Sequence, residues 1–149
     1  MTDTHVTMTR AFNAPRELVW RFWTEADLLS RWFGPTGYSV PVDSVDIDMR
    51  PGGHWNLDMV GDEAGDRSPI RTALLEVDQP EYFFGDQLNS PDSAFLPGMQ
   101  LRVQFHDHGE KTRVTLHQGP FTPEFRDRTI EGWELSFQKL DAAVEGEGQ

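Results

Sequence analysis

The sequence contains no cysteine, which excludes disulfides, a thiol nucleophile and a thiolate metal site, and leaves the redox compartment open. No apolar run approaches the roughly 18 residues of a membrane span. The start, MTDTHVTMTRAF, has neither the basic region nor the apolar stretch of a signal peptide. Positive charge is scarce: 13 Lys and Arg stand against 25 Asp and Glu, a formal net charge of -12. Such a surface repels phosphate backbones and anionic lipid. A soluble, cytoplasmic protein is therefore expected, with no nucleic acid partner and no membrane insertion. A glycine-rich phosphate loop, a Gly-x-Ser-x-Gly elbow and a His-Glu-x-x-His pair are also absent, so no catalytic motif is recognised and no cofactor is expected.

What is present fits one domain over residues 1–149, long enough to bury a core unaided, with the terminal EGEGQ, 145–149, expected to fray. Val6, Met8, Arg10 and Phe12 lie in an alternating segment that predicts a strand over about residues 4–12. Pro15 suits a first helical position, and Leu18, Val19, Phe22 and Trp23 recur at helical spacing behind it. Thr24 and Asp27 have the spacing of an N-cap and its acidic third residue, which predicts a second short helix carrying Leu28, Leu29, Trp32 and Phe33. Gly34 and Pro35 close it.

Beyond Tyr38 the period becomes two. Val45, Ile47 and Met49 alternate with charged neighbours, and RPGG turns the chain back through Trp55, Leu57 and Met59. Segments at about 69–78 and 81–88 follow, then the loop NSPDSAFLPG. Met99, Leu101, Val103 and Phe105 alternate with polar residues, HDHGEK turns, and Thr112, Val114 and Leu116 complete the last strand. Thr122 as N-cap and Pro123 open a long helix whose stripe is Phe125, Thr129, Trp133, Phe137, Leu140 and Val144. A sheet of this length buries its apolar face and the helix stripe together by curling round the helix. The expected fold is α+β, a helix-grip shape: a curved antiparallel sheet of about six to seven strands, a long C-terminal helix, and two short helices plugging one end.

The segments FNAPRELVW, RWFGPTGY, DIDMRPGGHW and EGWELSFQKL resemble successive motifs of the activator of heat-shock protein 90 ATPase homologue family, within the START-like (SRPBCC), Bet v 1-like superfamily. Relatives usually read Trp-Trp-Gly-Pro where this chain has Trp32, Phe33, Gly34 and Pro35. The resemblance implies the helix-grip fold with an apolar cavity between sheet and C-terminal helix. It spans a superfamily of lipid carriers, hormone binders, cyclases and chaperone partners, so fold alone does not choose an activity. The eukaryotic co-chaperones resemble this chain only through their C-terminal domain.

Five tryptophans and ten phenylalanines either fill the core or line a pocket. Trp133 is the leading pocket candidate because Gly132 beside it costs roughly 1 kcal/mol of helix propensity, and Ser136 shares its edge. The candidate cavity set is Trp32, Phe33, Tyr38, Trp55, Phe105, His117, Gly132, Trp133, Ser136 and Phe137, with Tyr38, His117 and Ser136 as polar groups. His106 and His108 have two ligands' spacing without a third, and no metal is expected. His54 and His117 flank inner-face positions, where a general acid or base is conceivable but needs a partner. Three functions fit: a binder of a hydrophobic small molecule, a co-chaperone-like module docking a chaperone or other protein, and a cyclase- or hydrolase-like enzyme using the same cavity. Monomer and homodimer stay open.

Overall fold

The structure, a computed structural model, describes residues 4–34, 36–88 and 98–147. A first strand, β1 (Val6–Phe12), leads into helices α1 (Arg16–Thr24) and α2 (Ala26–Leu29). Seven strands follow: β2 (Tyr38–Ser39), β3 (Asp46–Asp48), β4 (His54–Gly61), β5 (Arg67–Asp78), β6 (Tyr82–Gln87), β7 (Gln100–His108) and β8 (Lys111–Gly119). A long helix, α3 (Pro123–Glu147), ends the chain. The strands form one antiparallel sheet in the order β1-β8-β7-β6-β5-β4-β2, with β3 also paired to β4. It curls into a half-barrel around α3, the helix-grip architecture. The strand beyond the six or seven expected is β2, whose two residues pair with Val60 and Gly61 and are too few to show a period.

Alternation sets the sheet's inner face. Leu101, Val103 and Phe105 of β7 are buried opposite Gln118, Leu116 and Val114 of β8. A one-residue slip would turn each into water at a cost of about 1.5–3 kcal/mol per side chain, so the register is strongly specified. The RPGG turn owes its shape to two glycines: Gly52 takes φ +85, and a Cβ on Gly53 would lie 2.1 Å from the Asp48 carbonyl oxygen. Thr112, a polar residue on the inner face, is satisfied by donating to the Ala14 carbonyl at 2.7 Å, which anchors the entry to α1.

Several local expectations shift. Thr24 does not cap α2. It is the last residue of α1, where its hydroxyl bonds the Trp20 carbonyl at 3.0 Å, and Glu25 takes the cap position without a side-chain bond. Pro15 stands one place earlier than expected, as the extended residue before α1. Trp32 and Phe33 follow α2 rather than belonging to it, in a turn whose amides bond the Leu29 carbonyl, and Gly34 closes that turn at φ +98. Pro35 lies outside the described residues, as does 89–97 of the NSPDSAFLPG loop.

The α3 cap is as expected: the Phe125 amide donates to the Thr122 hydroxyl at 3.3 Å. The stripe, however, is buried only at Trp133, Phe137, Leu140 and Val144. Phe125 is exposed, with the Arg128 guanidinium over its ring, because the first turns of the helix contribute little to the core. The helix continues through Glu145 and Gly146 to Glu147, and residues 148–149 lie outside the described residues. No helix among the described residues is long and apolar enough to cross a membrane.

Candidate functional site

Helical spacing on α1 puts Val19, Trp20, Phe22 and Trp23 on its buried face, and Trp23 becomes the hub of an aromatic cluster. Its ring lies 4.8 Å from Trp32, 5.9 Å from Phe105 and Trp133, 6.2 Å from Phe83 and Phe137, and 6.3 Å from Trp55, between centroids. The planes of Trp55 and Trp133 lie within 26° and 23° of it, so both indoles stack near-parallel to Trp23. Phe33 meets Trp55 and Trp133 edge-on, both at 5.5 Å.

Six of the ten candidate residues, Trp32, Phe33, Trp55, Phe105, Trp133 and Phe137, thus converge. Ser136 is buried on the same helix as Trp133, and Gly132 is half-buried. Tyr38 stands half-buried at the rim. There the Lys139 ammonium of α3 donates to the carbonyls of Gly34 and Tyr38, at 2.9 and 3.4 Å, tying the aromatic turn to the helix. Burial holds the Lys139 pKa below its ordinary value, an effect the Asp62 carboxylate partly opposes.

His117 does not join the site. Strand parity turns Leu116 and Gln118 inward and His117 outward, where its Nδ1 meets the Thr7 hydroxyl at 3.2 Å. The polar residue that reaches the interior from β8 is its neighbour, Gln118. There it belongs to a buried chain: the Trp133 indole N–H donates to Gln118 Oε1 at 2.9 Å, Gln118 Nε2 donates to Gln87 Oε1, and Gln87 Nε2 donates to the Thr72 hydroxyl at 3.0 Å. Its direction is dictated by chemistry. An indole N–H only donates, so Gln118 must present its oxygen to Trp133 and its nitrogen onward, and Gln87 follows suit. Each carboxamide keeps a second N–H beyond these bonds.

Thr72, Gln87 and Gln118 lie outside the ten candidates, although each is a polar residue at the inner parity of its strand. No sequence signal marks the hub role of Trp23. Trp32 and Trp55 donate to the carbonyls of Phe22 and Trp23, both at 2.8 Å, whereas among the described residues the buried Trp23 N–H has no hydrogen-bond partner. An unpaired buried donor costs about 1–3 kcal/mol.

The buried polar residues offer hydrogen bonds without charge. Among the described residues the buried polar side chains are Thr72, Gln87, Thr112, Gln118 and Ser136, all uncharged, and no group of three His, Cys, Asp or Glu is placed to hold a metal. His54 pairs with Asp46 at 2.9 Å on the surface. Burial first, then the charges of Arg113, His108 and Arg16, hold His106 below its ordinary 6.5. Between that lowered value and 6.5 the unfolded chain binds the proton and the folded chain does not, so stability falls as pH drops through the window. His106→Gln is expected to flatten this slope, read as melting temperature against pH; an unchanged slope assigns it elsewhere.

The profile of the family described as activator of Hsp90 ATPase homolog 1-like protein matches residues 13–145. Among solved structures, a protein from Nitrosomonas europaea is 26% identical, with 97% of this chain and 96% of that chain covered and a TM-score of 0.79. An AHSA1 protein from Silicibacter pomeroyi is 25% identical over 96% and 99% of the two chains, at a TM-score of 0.78. One from Chromobacterium violaceum, at 20% identity and a TM-score of 0.84 over 95% and 97%, shares the fold. No protein of curated function matches the chain.

Proposed function

Because the chain belongs to the activator of Hsp90 ATPase homolog 1-like family, whose fold is compatible with several roles, we propose that it binds a small, uncharged, flat apolar molecule between the sheet and α3. The observation that carries this reading is the one-way polar chain from Trp133 to Thr72 inside an otherwise apolar, ring-lined interior. A core that served stability alone is at least as stable with well-packed apolar side chains there. The spare carboxamide N–H groups and the unpaired Trp23 indole suit a ligand with a hydrogen-bond acceptor on an aromatic body.

Acid–base catalysis needs a titratable group within reach of substrate, and the uncharged character of the buried polar residues favours binding over a cyclase- or hydrolase-like reaction. The exposed large apolar side chains, Val42, Leu75, Leu88 and Phe125, belong to four separate segments.

Native mass spectrometry of the purified chain, before and after incubation with a panel of flat neutral aromatics, tests the proposal. A retained or captured neutral adduct is the expected result, and bare protein throughout would sink it. Phe33→Leu separates gate from core. It should cost about 1 kcal/mol, the scale of a hydrophobic swap, and leave uptake rates unchanged if Phe33 only packs. Faster uptake at that stability would make the aromatic turn an entrance.

A further inference from the structure

The convex face of the sheet, opposite the aromatic interior, has a groove of about 260 Å³ that shares Gln118 with the interior chain and is otherwise built from other residues. Strand register builds it: Phe84 of β6 faces Arg102 of β7, Arg102 faces His117 of β8, and His117 faces Thr7 of β1. His5, Gln100 and Gln118 complete the walls. At one end lies Gly119, where a Cβ would stand 2.5 Å from the His5 ring, so the glycine admits that imidazole.

Arg102 is the unusual member. Its guanidinium carbon lies 5.3 Å from the Tyr82 ring centroid and 5.1 Å from that of Phe84. Arg10, Arg50, Arg67, Arg71 and Arg128 each meet a carboxylate, whereas among the described residues Arg102, like Arg16 and Arg113, has no ion pair, and of these three it alone is seated over two rings. That is unexpected in a chain with 25 Asp and Glu to 13 Lys and Arg. Among the described residues the groove lining contains no carboxylate. The two carboxylates beside it are engaged, Glu76 by the Tyr82 hydroxyl at 2.8 Å and Asp86 by the Gln100 amide at 3.0 Å.

A guanidinium held against aromatic rings bonds through its in-plane N–H edge, a fork that matches a carboxylate. Thr7 occupies Nδ1 of His117, which leaves Nε2 as the ring nitrogen for a ligand. We propose that this groove binds a small organic carboxylate, its two oxygens on Arg102 and His117 and its flat body beside Phe84. The volume lies below the roughly 300–1,000 Å³ of drug-sized sites and suits a molecule of benzoate size.

The test is an NMR titration of the full chain with sodium benzoate, following the assigned imidazole signals of His5 and His117. A saturable shift of both is expected, with affinity reduced about tenfold or more in Arg102→Gln, equivalent to about 1.4 kcal/mol. Arg102→Lys, which keeps the charge and loses the fork, should fall between, with melting temperatures of both variants near that of the parent. No saturable shift, or equal affinity in Arg102→Gln, would overturn the proposal. So would inorganic phosphate matching benzoate, since a planar fork would then not be what selects the ligand.

Discussion

Trp23→Ala is expected to cost about 4 kcal/mol, the scale of a fully buried aromatic removed from a core that collapses poorly. That is a large share of the roughly 5–15 kcal/mol by which a domain is stable. The size follows from position: Trp23 is fully buried and touches six other rings drawn from β4, β6, β7, α3 and the turn after α2. Those rings are fixed by their own strands and helix and cannot all move in to fill the space. Trp23→Phe supplies the contrast, because it keeps an aromatic body and deletes the unpaired N–H, so part of the lost packing is offset by removing an unsatisfied donor. Urea denaturation of both variants gives the comparison. If Trp23→Ala cost less than about 1 kcal/mol, within the ordinary run of point mutations, the cluster would not be the centre of the fold.

The second large effect is expected at Gln118. Gln118→Leu leaves the Trp133 N–H and Gln87 Oε1 both buried without their partners, and at about 1–3 kcal/mol for each such group the loss should reach about 2–4 kcal/mol. Removing the three members that link the chain should cost less than breaking it. The triple variant Trp133→Phe, Gln118→Leu, Gln87→Leu orphans neither of those groups, leaving only the Thr72 hydroxyl without its Gln87 partner, and should recover much of the stability, a strong departure from additivity. The same variant should lose any retained ligand. A neutral Gln118→Leu would show that the chain is not engaged, and a triple variant that still retains ligand would show that it does not select one.

Much of the architecture was legible because it rests on short-range rules. Leu101, Val103 and Phe105 declare their face by parity alone, and Thr122 with Pro123 declares the start of α3 by capping chemistry. Thr24 misled because a threonine hydroxyl caps a following helix or bonds back to the carbonyl four residues earlier, and local sequence does not separate the two. Phe125 misled because its periodicity is real while the sheet does not cover that turn of α3. His117 is instructive in a different way. The parity rule that buries Leu116 also buries Gln118, so the chemically familiar residue drew notice that belonged to the amide beside it. The ring cluster joins residues far apart in sequence, and no period within one segment reports which aromatic becomes the hub.

The stacking of Trp55 and of Trp133 near-parallel to Trp23, with centroids 6.3 and 5.9 Å from it, has an optical consequence. Indoles this close couple their electronic transitions, and the sign and size of the resulting circular dichroism depend on their mutual tilt. The protein therefore carries an intrinsic chromophore array at its centre. Any molecule that slides beside Trp133, or any loosening of the turn at Trp32 and Phe33, retunes that array and can be followed without a label.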